Sequence, residues 1–106
     1  MLRLCDEGVL TMERMVELMC HAPSRLFQIK GRGFIREGAQ ADLVLLRPYA
    51  PWVLRKEGIL SKCGWNPLEG ETFDWQVEQT YCNGHPVYSQ GRLREGTNGQ
   101  PLTFDR

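Results

Sequence analysis

Apolar positions at Met12, Met15, Val16 and Met19 recur at i, i+3, i+4 and i+7, while Glu13, Arg14 and Glu17 fall on the opposite side. With Thr11 as an N-cap, the pattern predicts an amphipathic helix over residues 12–21. Pro23 has no N–H and biases Ala22 away from helical geometry, so a break or kink is expected there. Ser24 to Gln28 then resume as a further turn, with Leu26, Phe27 and Ile29 giving it an apolar side.

Beyond Lys30 the period changes. Gly31, Gly33 and Gly38 make a long helix untenable, and Phe34-Ile35 reads as a brief strand between turns. Ala41 to Leu46 is a continuous apolar run with one acid, Asp42, and it stops at Pro48; it reads as a strand buried on both faces. Trp52-Val53-Leu54 fits a short strand, and residues 58–70 fit an irregular loop. The strongest local signal is Val77 to Cys82, Asn83-Gly84, then Pro86 to Tyr88, because Asn-Gly adopts the two positive φ angles of a tight hairpin. After Gly91 the chain turns polar, and its last dozen residues are expected to lie on the surface or to be disordered.

The resulting expectation is an α+β layout within a single domain over 1–106. A helical segment (1–30) precedes a β segment (31–91) of four to six short strands forming a small sheet or half-sandwich, and a polar tail (92–106) follows. With 106 residues, burial of roughly two thirds of the unfolded surface is expected, enough for one modest core.

Thirteen basic and 13 acidic side chains give a formal net charge of zero, which removes the electrostatic motive for binding nucleic acid or acidic membranes. No apolar run approaches a membrane span and no signal segment opens the chain, so the expected address is cytoplasmic. Arg25, Lys30, Arg32 and Arg36, interleaved with Phe27 and Phe34, form the main basic cluster; it is read as a solvated face or partner contact in preference to an RNA or phosphate site.

Candidate chemistry is sparse. Cys5, Cys20, Cys63 and Cys82 never fall as C-x-x-C and are read as reduced, buried small hydrophobes. His21 and His85 lie far apart, so no metal-gripping pair exists, and Cys20 and His21 point to different faces of a helix. Gly31, Gly33 and Gly38 do not spell a phosphate loop. Glu69, Glu71 and Asp74 are read as a solvated rim. Trp52, Trp65, Trp75 and Phe73 are heavy aromatic content for a loop-rich segment and are expected to pin it to a core or to a partner.

The order of motifs carries more. HAPSRLF at His21–Phe27, GFIREG at Gly33–Gly38 and ADLVL at Ala41–Leu45 resemble the end of cyclic amidohydrolases. SKCGWNPLEG at Ser61–Gly70 and VEQTYCNGHPVY at Val77–Tyr88 narrow the resemblance to the C-terminal part of a dihydroorotase, over about Thr11 to Gly91.

That resemblance implies a parent enzyme in which a zinc-dependent (β/α)8 barrel interconverts dihydroorotate and N-carbamoyl-L-aspartate in pyrimidine biosynthesis. A smaller β-sandwich in that family draws strands from both chain ends. The helices here would come from the barrel's outer layer and residues 33–90 from the sandwich. The family's metal ligands lie upstream of the matched region, so no catalytic, cofactor-binding or metal residue carries over, and no cofactor is expected in this chain. Its expected partner is the remainder of the dihydroorotase polypeptide, and an unpaired strand edge predicts self-association or a loosened fold. The alternative reading is an independent interaction module that uses the aromatic segment 52–75.

Overall fold

In a computed structural model that describes residues 1–94, 96 and 99–106, three short helices lead into two antiparallel sheets. The helices are α1 (Leu2–Asp6), α2 (Met12–Val16) and α3 (Ala22–Leu26); the strands are β1 (Leu43–Arg47), β2 (Trp52–Val53), β3 (Thr72–Phe73), β4 (Gln76–Cys82), β5 (His85–Ser89) and β6 (Arg92–Leu93). β1, β4, β5 and β6 form one sheet in that order, and β2 pairs with β3 in a separate ribbon.

Thr11 caps α2 as its sequence position suggests, its hydroxyl accepting the Arg14 N–H at 3.1 Å. The break expected at Pro23 does not occur. A π turn over Glu17–His21 joins α2 to α3, so helical backbone continues through the proline to Leu26. A proline ring crowds the carbonyl four residues before it, and widening the turn just upstream relieves that crowding without ending the helix. α3 ends in a Schellman arrangement: Gln28 takes φ 54°, its N–H reaches the Arg25 carbonyl, and the Ile29 N–H reaches the Ser24 carbonyl.

The expected Phe34-Ile35 strand is absent from this segment. Gly31, Gly33 and Gly38 all hold positive φ, so the chain turns every few residues and offers no extended run to pair. At Gly33 the left-handed backbone coincides with close approach: a Cβ there would meet the Cys20 carbonyl oxygen at 2.7 Å and the Ser24 Cβ at 2.6 Å. Ser24, itself buried, donates from its hydroxyl to the Arg32 carbonyl at 2.7 Å and so ties this loop to α3.

The hairpin forms where Asn-Gly places it, with Asn83 at φ 51° and Gly84 at φ 82°. A second two-residue turn, Gln90-Gly91 at φ 49° and 83°, adds β6. The polar tail is docked over part of its length: Lys30 donates its N–H to Thr103, Asp105 donates to Gln28, and Phe104 bridges Ile29. Glu95, Thr97 and Asn98 of the expected tail lie outside the described residues.

Burial departs most from expectation. The molecule exposes 8466 Å², against about 6,100 Å² for a compact monomer of this mass, and buries about half of its unfolded surface instead of two thirds. Its radius of gyration is 15.7 Å, against about 13 Å for a compact chain of this length. Met15 is the single buried hydrophobic side chain among the described residues. β1, expected to be covered on both faces, is exposed at all five positions, because among the described residues its main contacts are with β4 beside it in the sheet.

Candidate interaction surface

Directly opposed residues of an antiparallel pair project to the same side of the sheet. The register sets Val44 opposite Thr80, Thr80 opposite Tyr88, and Tyr88 opposite Leu93, a row that crosses all four strands on one face. Leu46 opposite Val77 lies alongside it on that face, kept in phase by the bulge between Leu45 and Leu46. Val44 is 53% exposed and Leu93 66%. Trp52 closes one side of the row, forming with Val77, Val87, Tyr88 and Leu93 a shallow groove of about 500 Å³ with mainly apolar walls. The opposite face is mixed, with Leu43, Leu45 and Tyr81 beside Gln79, Ser89 and Arg92.

The aromatic segment is pinned largely from within. The Trp52 indole N–H donates to the Trp75 carbonyl at 2.7 Å, and the Trp75 indole N–H donates to Asp6 at 2.8 Å. Trp52 and Phe73 pack at 5.1 Å between ring centroids, and Arg3 lies over the Phe73 ring while pairing with Glu71 at 3.3 Å. These contacts dock α1, an element the sequence pattern did not reveal, on the β2–β3 ribbon. Trp65 stays outside them and is exposed. Glu71 is thus an ion-pair partner of Arg3.

His21 stacks on Phe34 at 4.3 Å, nearly parallel, and its Nδ1 lies 3.3 Å from Glu17. Arg25 and Arg36 lie over the same Phe34 ring, Arg25 pairs with Glu17 at 3.0 Å, and Arg32 pairs with Asp42. Arg25, Arg32 and Arg36 are therefore each engaged inside the chain: Arg25 ties Phe34 of the glycine loop to α3, Arg32 ties that loop to the entry of β1, and Arg36 packs within the loop. His85 is exposed at the start of β5.

The cysteines differ from their expected burial: Cys20 and Cys63 are exposed, and Cys5 and Cys82 half-buried, all four as free thiols. Cys20 sits on the π turn and Cys63 in the loop of residues 58–70, both at the surface. The Ser61 hydroxyl, 3.4 Å from the Cys63 sulfur, and then the Trp65 backbone hold that thiol below its ordinary pKa. Among the described residues no group of three or more His, Cys, Asp or Glu side chains is placed to hold a metal ion, so the donor set for a catalytic zinc does not fit here. No helix among the described residues is long and apolar enough to cross a membrane.

The apolar row was missed at the sequence level because it is assembled across strands. Its members are separated along the chain, and the two bulges shift the alternation that would have marked them.

No family model matches the chain. It is 36% identical over 101 residues to an allantoinase of Rubrobacter xylanophilus, covering 92% of this chain and 22% of that protein. Against a dihydroorotase of Clostridioides difficile it is 36% identical over 86 residues, covering 81% of this chain and 20% of that protein. Among solved structures, the L-hydantoinase (dihydropyrimidinase) from Arthrobacter aurescens matches with a TM-score of 0.80 at 27% identity, over 92% of this chain and 22% of that one. The chain spans about a fifth of the length of these relatives.

Proposed function

We propose, from the premise that this chain belongs to the cyclic amidohydrolases and spans about a fifth of the members it matches, that it is the C-terminal domain of a dihydroorotase. In this reading it completes a β-sandwich and braces the barrel of an enzyme that interconverts dihydroorotate and N-carbamoyl-L-aspartate in the cytoplasm. The carrying observation is the row from Val44 to Leu93, whose Val44, Leu46 and Leu93 stay exposed beside the mainly apolar groove closed by Trp52. Its occupant is the remaining polypeptide of the enzyme. Zinc, in the assembled enzyme, rests on ligands supplied by that remainder, and this chain contributes position and stability to the fold.

The module reading is weakened by the inward engagement of Phe73 and Trp75, which leaves it resting on Trp65 and on the side of Trp52 that lines the groove.

The test is a chimera in which this chain replaces the matching segment of the Clostridioides difficile dihydroorotase, assayed beside a form lacking that segment. The chimera is expected to hydrolyse dihydroorotate where the shortened form does not. A chimera as inactive as the shortened form, or hydrolysis by the 106-residue chain alone, would overturn the proposal. Parallel assays on allantoin and hydantoin test the substrate assignment.

A further inference from the structure

An asparagine followed by glycine carries a reaction of its own. Once the glycine nitrogen loses its proton it can attack the asparagine side-chain carbonyl, because glycine puts no side chain in the way. Asn83-Gly84 forms the turn of the β4–β5 hairpin, and the structure obstructs each requirement of that attack. The Gly84 N–H is donated to the Ala41 carbonyl at 2.9 Å, so the nucleophile is held protonated. The Asn83 N–H is donated to Asp42 at 2.9 Å and Cys82 pairs with His85; together they fix Asn83 at φ 51° and oppose the rotation that swings the Gly84 nitrogen towards Cγ. The Asn83 Oδ1, on which negative charge develops during the attack, is shut away from solvent and meets no donor among the described residues.

We propose that Asn83 is a latent modification site, guarded while the corner of Ala41, Asp42 and the turn is closed and released when that corner opens. In the open corner the deprotonated Gly84 nitrogen forms a bond to the Asn83 Cγ and the Cγ–Nδ2 bond breaks. Nδ2 departs as ammonia, taking from solvent the equivalent of the proton that Gly84 lost. Water then opens the cyclic imide at either carbonyl, leaving aspartate or isoaspartate at position 83. Both products weaken the corner. Isoaspartate adds a main-chain carbon, which a two-residue turn does not accommodate in the Cys82 to His85 register, and aspartate puts a carboxylate into the shielded place of Oδ1 close to Asp42. An opening of the corner is thereby written into the covalent structure.

Every bond invoked lies within residues 41–85, so the inference is independent of the amidohydrolase assignment and of what covers the sheet. The test incubates the 106-residue chain at mildly alkaline pH, folded and in urea. Asn83 is followed by peptide mass spectrometry with chromatography that separates isoaspartate, and Gly84 amide exchange is measured alongside. The folded chain is expected to convert at least about tenfold more slowly than the chain in urea, and Asp42→Ala at least about fivefold faster than the unaltered folded chain. Asp6→Ala, outside the corner, controls for general loosening and should leave the rate as it was. Should Asp42→Ala fold poorly, the unaltered chain in rising urea supplies a second readout: conversion increases in step with Gly84 exchange. Equal rates folded and in urea, a Gly84 amide that exchanges unprotected, equal acceleration by Asp6→Ala and Asp42→Ala, or conversion that does not follow Gly84 exchange would each overturn the inference.

Discussion

Asp42 receives the backbone N–H of Asn83 on one carboxylate oxygen at 2.9 Å and pairs with Arg32 through the other. One side chain thereby joins the glycine loop, the entry to β1 and the turn of the β4–β5 hairpin, and the adjacent Gly84 N–H to Ala41 carbonyl bond at 2.9 Å closes the same corner. The lone acid in the apolar run is a structural tie, which accounts for its place at the head of a strand that otherwise has only hydrophobic residues and a terminal arginine.

Replacing it tests that role. Asp42→Ala removes the acceptor for both donors and is expected to cost about 1–3 kcal/mol in urea unfolding. Asp42→Asn keeps an oxygen for Asn83 but turns an amide towards Arg32, so it should fall between the two. Equal stability of all three chains would contradict the tie.

The glycine loop separates backbone strain from steric fit. Gly33 and Gly38 have nearly the same φ, 87° and 83°, but a Cβ at Gly33 collides with the Cys20 carbonyl and Ser24, while nothing lies within 4 Å at Gly38. Gly38→Ala should cost about 1–2 kcal/mol from the left-handed backbone alone. Gly33→Ala should exceed it by about 1–3 kcal/mol, because a main-chain oxygen has to move. Matched thermal or urea unfolding of the pair reads the difference directly.

Local chemistry was legible in the sequence and long-range covering was not. Asn83-Gly84 specifies its hairpin because two adjacent residues suffice to set the turn. The Leu43 to Leu46 strand was equally plain, but its burial depends on layers that other segments must supply, and among the described residues none covers it. Pro23 misled because a proline's effect depends on the upstream turn, and the π geometry at Glu17–His21 has no compositional mark. α1 was invisible for a similar reason. Five residues carry too little periodicity, and the contacts that hold it come from Phe73 and Trp75, some 70 residues away. As for the surface, the single residues that form the row were visible, but their alignment follows from register and bulges.

A helix of five residues does not persist unaided, so α1 should depend on its dock. Asp6→Ala removes the acceptor of the Trp75 indole and is expected to cost about 1 kcal/mol while accelerating amide exchange in residues 2–6. Tryptophan emission should shift as the indole loses its partner. Exchange in α1 as fast before the substitution as after it would mean that the dock does not hold the helix.

Cys63 supplies a prediction in pH. Its thiol is held below the ordinary range, first by the Ser61 hydroxyl and then by the Trp65 backbone, both of which favour the charged form. A lowered pKa populates the thiolate at a lower pH, and the thiolate is the species that alkylates. The pH at which iodoacetamide labelling of Cys63 reaches half its limiting rate should therefore lie below that of an ordinary exposed thiol. Ser61→Ala removes the largest contribution, so the half-point should move upward and labelling near neutrality should slow. Peptide-resolved mass spectrometry across a pH series makes the measurement, with the Ser61→Ala chain run beside the unaltered one. A profile for Cys63 that Ser61→Ala leaves in place would show that the hydroxyl does not stabilise the thiolate.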